Sequence, residues 1–278
     1  MFALEFLLLP VPKDIHRAMA GKIFKRKVIM NDYKIYNENC FKIFPKIKDS
    51  SVDCVIVDLP YGQTNCKWDI PIDLEKMWVE LLRVGTDETA YVFFTTTKFG
   101  YELIKSNEKL FRYDLVWEKP NAVGFLMSQK RPLRAHEMIY IFSKKQTTYN
   151  PQKTIGVPYR ANRKANSTNI YGAPRTPCTV NTGDRFPRSV QQFSSPSRYS
   201  VHPTQKPIEL CEWLVKTYSN EGQTVLDFTM GSGSTGVAAL KTKRKFIGIE
   251  MNSEIYQTAK DRLNALLEGF AQEEKSDS

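Results

Sequence analysis

Two short stretches of the chain hold residues whose types and spacing could do chemistry. The first is Asp58-Leu59-Pro60-Tyr61-Gly62, which ends the β-branched apolar run Cys54-Val55-Ile56-Val57. Such a run, bounded by turn residues, reads as a buried strand. An acid, a proline-fixed backbone and an aromatic ring then sit at the C-terminal tip of that strand, the edge where open α/β sheets bind ligands. A carboxylate and a backbone carbonyl accept hydrogen bonds from an amino group, and a ring beside them stacks on a flat heterocycle, so the set suits the exocyclic amine of a nucleobase. The same pentapeptide also fits a strand-ending turn.

The second stretch is Val225-Leu226-Asp227-Phe228-Thr229-Met230-Gly231-Ser232-Gly233-Ser234-Thr235-Gly236, a strand, a glycine-rich turn and a helix start. Glycines let the backbone turn sharply and approach a ligand. Glu250 ends the next strand, about 17 residues on, where a carboxylate can accept both hydroxyls of a ribose. The GxGxxG pattern of Gly231, Gly233 and Gly236 leaves NAD(P) and S-adenosylmethionine both open. Hydride transfer, however, has no use for the amine clamp at Asp58–Gly62.

The elements that must position these residues follow from periodicity. Strands are expected over 53–58, 90–95, 113–118 and 137–142, and Ile72–Val84 carries Leu74, Met77, Trp78, Leu81 and Leu82 at helical spacing. Further on, Pro207–Ser219 reads as a helix, Thr224–Phe228 as a strand, Ser234–Lys241 as a helix, Lys245–Glu250 as a strand and Ser253–Leu267 as a last helix. Between the halves, residues 146–200 lose periodicity. They hold six prolines, interleaved aromatics and charges that are nearly all basic, Asp184 being the one acid among Lys153, Arg160, Arg163, Lys164, Arg175, Arg185, Arg188 and Arg198. Arginines bind phosphates and base edges, and aromatics stack on bases. A solvated insertion with no partner is the plainer alternative.

Composition bounds the reading. A chain of 278 residues, 41% hydrophobic, accommodates one large α/β domain with an insertion. The net charge of +10 favours a polyanionic partner. Five scattered cysteines without a CxxC pair argue against a disulfide framework or structural zinc, and three distant histidines against a metal centre. The apolar Met1–Pro12 is too short to span a bilayer and lacks the basic start of a signal peptide. A reducing compartment, such as the cytoplasm, fits best. The expected division is an N-terminal extension (1–30), an α/β half that holds the Asp58 stretch (31–145), the basic strip (146–200), an α/β half that holds the glycine turn (201–267) and a frayed polar tail (268–278).

Taken together, these motifs resemble the DNA methyltransferases that modify exocyclic amines, the adenine-N6 and cytosine-N4 enzymes. Their catalytic tetrapeptide, Asp/Asn/Ser-Pro-Pro-Tyr/Phe, is matched by Asp58-Leu59-Pro60-Tyr61, and their cofactor loop, Val-Leu-Asp-Pro-Phe-x-Gly-Ser-Gly, by 225–233. The block His202-Pro203-Thr204-Gln205-Lys206-Pro207, the stretch Trp117-Glu118-Lys119-Pro120-Asn121 and the pair His136-Glu137 also look like family segments, so the likeness covers roughly 33–265. Their order is that of the permuted beta group. The resemblance implies a Rossmann-like, mostly parallel doubly wound α/β fold. It implies catalytic, target-recognition and cofactor-binding roles for 31–145, 146–200 and 201–267 in turn. It implies S-adenosylmethionine held by Asp227, Thr229, Gly231, Gly233, Glu250, Thr204 and Lys206, and no metal. It implies double-stranded DNA held by 146–200, through Arg160, Arg163, Lys164, Arg175, Arg185 and Arg188. Strand 224–228 is then expected beside strand 53–58. Asp at the first tetrapeptide position leans toward adenine, since the cytosine enzymes more often carry Ser. Three departures stand out: Leu59 replaces a proline whose carbonyl is what the family uses, Phe228-Thr229 replaces Pro-Phe, and Asn39 stands where an acid is usual. An RNA or protein amine methyltransferase, an NAD(P)-dependent oxidoreductase and a non-catalytic DNA-binding relative are the competing readings.

Overall fold

A computed structural model describes residues 33–62, 70–162, 178–194 and 205–276. In chain order the elements are β1 (Tyr33–Asn37), α1 (Cys40–Ile43), β2 (Val52–Asp58), α2 (Leu74–Val84), β3 (Gly85–Thr95), α3 (Thr97–Ser106), β4 (Phe111–Val123) and β5 (Arg134–Phe142). There follow the short strands β6 (Thr154–Ile155), β7 (Tyr159–Asn162), β8 (Cys178–Asn181), β9 (Asp184–Arg185) and β10 (Val190–Gln192). The chain closes with α4 (Ile208–Tyr218), β11 (Thr224–Asp227), α5 (Ser234–Lys241), β12 (Lys245–Glu250) and α6 (Ser253–Ser276).

Among the described residues, eight strands form one sheet in the order β1-β12-β11-β2-β3-β5-β4-β10, in which β5 alone runs antiparallel to its neighbours. Strands buried on both faces read as unbroken apolar runs because each side chain meets a helix layer on one side or the other. On β2, Cys54 and Ile56 face the layer that contains Leu210, Leu214, Ala238, Ala259 and Leu263 of α4, α5 and α6. Val55 and Val57 face Met77, Trp78, Leu81, Phe99 and Leu103 of α2 and α3. The helical stripe expected over 72–84 thus packs as core.

Caps set the helix starts. The Asp73 carboxylate accepts from Lys76 N at 3.1 Å to open α2, and the Thr96 hydroxyl accepts from Phe99 N at 3.3 Å to open α3. The fold is the doubly wound, mostly parallel α/β sheet that the motif order implies. β11 lies beside β2, with Val225 opposite Cys54 and Leu226 opposite Val55.

Three expectations need correcting. The strip 146–200 is not structureless: β6 pairs with β9, β7 with β8, and β10 joins the edge of the main sheet beside β4. Strands of two to four residues leave too little periodicity to read. α3 carries a buried face of Phe99, Gly100 and Leu103 that the sequence reading passed over. The last helix does not stop at Leu267 but runs to Ser276, because Ala271, Gln272, Glu273, Glu274 and Lys275 are strong helix formers.

Candidate active site

The pairing of β11 with β2 brings the two chemical stretches to one sheet edge. β2 ends at Asp58, half-buried, followed by Leu59, whose side chain is sunk in the core. With that side chain buried, position 59 can offer a ligand only its backbone. Asp58 is gripped from two sides: the Tyr61 hydroxyl donates to Oδ1 at 2.5 Å, and the Lys206 ammonium donates to Oδ2 at 2.6 Å. A carboxylate has about four lone-pair sites, so two remain for a ligand. Burial, then the Asp58 charge and the hydrogen bond to it, push the Tyr61 phenol up, so it stays protonated and donates. Its ring lies 5.0 Å from that of Phe99, centroid to centroid.

Lys206 belongs to a larger set. Its Nζ also lies 3.2 Å from Glu137 Oε2 and 5.0 Å from the centre of the Phe94 ring, while Glu137 Oε1 accepts from Lys119. Burial works against the Lys206 charge, yet Asp58 and Glu137 outweigh it and hold the ammonium above the ordinary lysine range. Burial raises the Glu137 carboxyl, but Lys206 and Lys119 together bring it below the usual carboxylate range. The structure therefore places Lys206, which the resemblance assigns to the cofactor, on the carboxylate of the tetrapeptide. Glu137 and Lys119 were noted in the sequence only as parts of familial segments. They meet across the antiparallel pair of β4 and β5: Trp117 sits opposite Glu137, which makes Lys119 its diagonal neighbour on the same face.

The glycine loop stands beside this cluster. Thr229 Oγ1 donates to the backbone carbonyl of Asp58 at 3.0 Å, and Thr229 N donates to Asp227 Oδ1 at 3.2 Å. The departure from the family phenylalanine thus serves as a strap between the two loops. Phe228, in the proline slot, packs its ring 5.3 Å from Phe44 in the core. Gly231 has φ +51°, a left-handed backbone, and a Cβ there would meet nothing within 4 Å. That space is open to a ligand. Gly233, with φ +80°, is tight instead: a Cβ would come 3.1 Å from that of Ala259 on α6.

Glu250 closes the loop, its Oε2 accepting from Gly231 N at 3.0 Å and its Oε1 from Asn252 N at 2.8 Å. Asn39, where an acid is usual, caps α1 by accepting from Phe41 N. Burial, and after it the charges of Asp58 and Glu250, drive the Asp227 carboxyl up to about 7 against the hydrogen bonds it accepts. Asp58, Asp227 and Glu250 thus lie close together around the glycine turn, a set whose negative charge suits a cationic ligand better than a pyrophosphate.

The basic residues expected to meet DNA fare unevenly. Arg160 on β7 and Arg188 just before β10 are exposed. Arg185 is committed to its own turn, donating to Asn181 Oδ1 and the Val157 carbonyl and lying 4.8 Å over the Tyr159 ring. Arg163, Lys164, Arg175 and Thr204 lie outside the described residues.

Comparison with known proteins agrees with this geometry. The chain is 29% identical over 258 residues to the type II methyltransferase M1.MboII of Moraxella bovis, an alignment spanning 84% of this chain and 97% of that one. Among solved structures, the M1.HpyAVI–SAM complex superposes with TM-score 0.58 at 24% identity, covering 83% of this chain and all of that one. The cytosine-N4-specific PvuII DNA methyltransferase gives TM-score 0.57 at 14% identity, covering 86% and 92%. Both share the fold. The profile of the N6/N4 DNA methylase family matches residues 52–261, a span that opens with β2 and takes in the tetrapeptide, Glu137, Lys206, the glycine loop and Glu250. The chain is a member of the N6/N4 family of DNA methylases.

Proposed function

We propose that the protein transfers a methyl group from S-adenosylmethionine to the exocyclic N6 of an adenine flipped out of double-stranded DNA. The observation that carries this is the junction of the two loops: Thr229 on the cofactor side holds the Asp58 carbonyl on the catalytic side at 3.0 Å. S-adenosylmethionine supplies an electrophilic methyl on a sulfonium. Asp227 and Glu250 suit its charge and its ribose, and Gly231 leaves room for it. An exocyclic amine is a poor nucleophile because its lone pair is delocalised into the ring. Hydrogen bonds from the amine to the Asp58 carboxylate and the Leu59 carbonyl draw that lone pair out of the ring and aim it at the methyl donor, which is alignment plus electrostatic preorganisation. The nitrogen that gains a methyl sheds a proton, and Asp58 is the acceptor at hand. A base inside a duplex cannot reach this edge, so it is extruded and stacks against Tyr61. Asp at position 58 favours adenine over cytosine.

The test is transfer of labelled methyl groups from S-adenosylmethionine to duplex DNA by the wild type and by Asp58→Ala. Loss of transfer with cofactor binding retained supports the assignment, and undiminished transfer by the variant refutes it.

A further inference from the structure

Residues 120–133, the tip of the β4–β5 hairpin, are all exposed. They include Leu126 at 95% and Phe125 at 79% exposure, with Val123 and Leu133 beside them. The tip is nonetheless built. Val123 pairs with Arg134, Gly124 turns the chain at φ +93°, and Met127 N, Ser128 N and Lys130 N each donate to a carbonyl three residues back at 2.9 Å. An ordered turn that holds two large apolar side chains in water marks an interaction surface.

Its place says with what. Thr95 at the end of β3 sits opposite Met138 of β5, so the hairpin leaves the sheet at the edge where β2 ends in Asp58. At its root, Lys119 bonds Glu137, Glu137 pairs with Lys206, and Lys206 pairs with Asp58. From Lys119 to Arg134 the charged residues are Lys119, Lys130, Arg131 and Arg134, with no acid. A partner approaching this edge must be anionic outside and flat and apolar within. A duplex opened at one base step has both properties.

We infer that Phe125 and Leu126 form an apolar wedge that enters the duplex beside the target base and fills the space the extruded base leaves, with Lys130 and Arg131 on flanking phosphates. This rests on the base-flipping reading above, and it adds a second DNA-contacting surface to the strip 146–200.

The test compares Phe125→Ser/Leu126→Ser with the wild type in single-turnover methylation of two duplexes. Both carry the site at which DNA from expressing cells is modified. In one the target base is paired, and in the other it faces an abasic position. A wedge that opens a paired step is needed only for the first, so the variant should lose about tenfold or more there and little on the second. In parallel, Lys130→Gln/Arg131→Gln should reduce the slope of log affinity against log salt by about 2, roughly one phosphate per side chain. Equal loss on both duplexes, no loss on either, or an unchanged salt slope overturns the inference. So does a serine variant whose loss tracks dissociation of a dimer in sedimentation, because the tip then meets a second copy of the chain. Wild-type protein that methylates neither duplex overturns the proposed function instead, and this inference falls with it.

Discussion

Replacing Lys206 by Met separates the two roles open to that residue. Its side chain is 14% exposed, and the ammonium lies between the carboxylates of Asp58 and Glu137, whose side chains are 30% and 21% exposed. Removing one member of a buried ion pair costs about 3–5 kcal/mol, because it leaves the partner charge desolvated and unpaired. The partial exposure of Asp58 and the Lys119 partner of Glu137 set the expected cost at the low end, about 3 kcal/mol. At roughly 2–3 °C per kcal/mol for a chain of this size, Tm should fall by roughly 6–9 °C. Asp58→Asn added to Lys206→Met removes the carboxylate that has lost its cation, while Glu137 keeps Lys119, so the double variant should recover part of that loss in Tm rather than add to it. Thermal unfolding reads the stability, titration calorimetry reads S-adenosylmethionine affinity, and single-turnover transfer reads the chemistry. Cofactor affinity should hold while transfer falls, since Lys206 orients Asp58. Unchanged Tm with a large loss of cofactor affinity would refute the reasoning and return Lys206 to the cofactor site.

Other consequences can be checked alongside. The Asp227 carboxyl at about 7 lies above its unfolded value, so the stability it contributes is present below the usual carboxylate range and is lost as pH rises through about 7. The ionised form attracts a cation, so S-adenosylmethionine affinity should climb over the same window, and Asp227→Asn should flatten both profiles. Thr229→Val deletes the hydroxyl that holds the Asp58 carbonyl. It should lower kcat more than it raises KM for the cofactor, with Thr229→Ser near wild type, whereas an equal effect of Val and Ser would argue against the strap. Replacing Arg163 and Lys164 by Gln should weaken DNA binding and flatten its salt dependence, while an unchanged slope would favour a recognition strip without phosphate contacts.

Much of the central sheet could be read from the sequence because its strands are buried on both faces. Cys54–Val57 and Val225–Leu226 are unbroken apolar runs with turn residues at their tips, and the order of the motifs places them side by side. β1 escaped notice because Tyr33–Asn37 is a half-buried edge strand with an exposed lysine, Lys34, as its second residue. The short ladders of 154–185 were illegible because two to four residues carry no period. At the site, Asp58, Gly231 and Glu250 were visible as chemistry at strand tips. The Lys206–Glu137–Lys119 cluster was not, because it joins residues from three distant segments that only the antiparallel β5 brings to one edge. Thr229 reads in the sequence as a cofactor-loop residue that departs from the family phenylalanine, and the contact of its hydroxyl with the Asp58 backbone appears only in the fold.

Single-molecule sequencing of DNA from cells expressing the wild-type chain or Asp58→Ala tests the central claim most directly, since it reports the modified base together with its sequence context. N6-methyladenine in one recurring context, absent with Asp58→Ala, is the predicted result. Unmodified DNA with the wild type, or the same modification with Asp58→Ala, would contradict it.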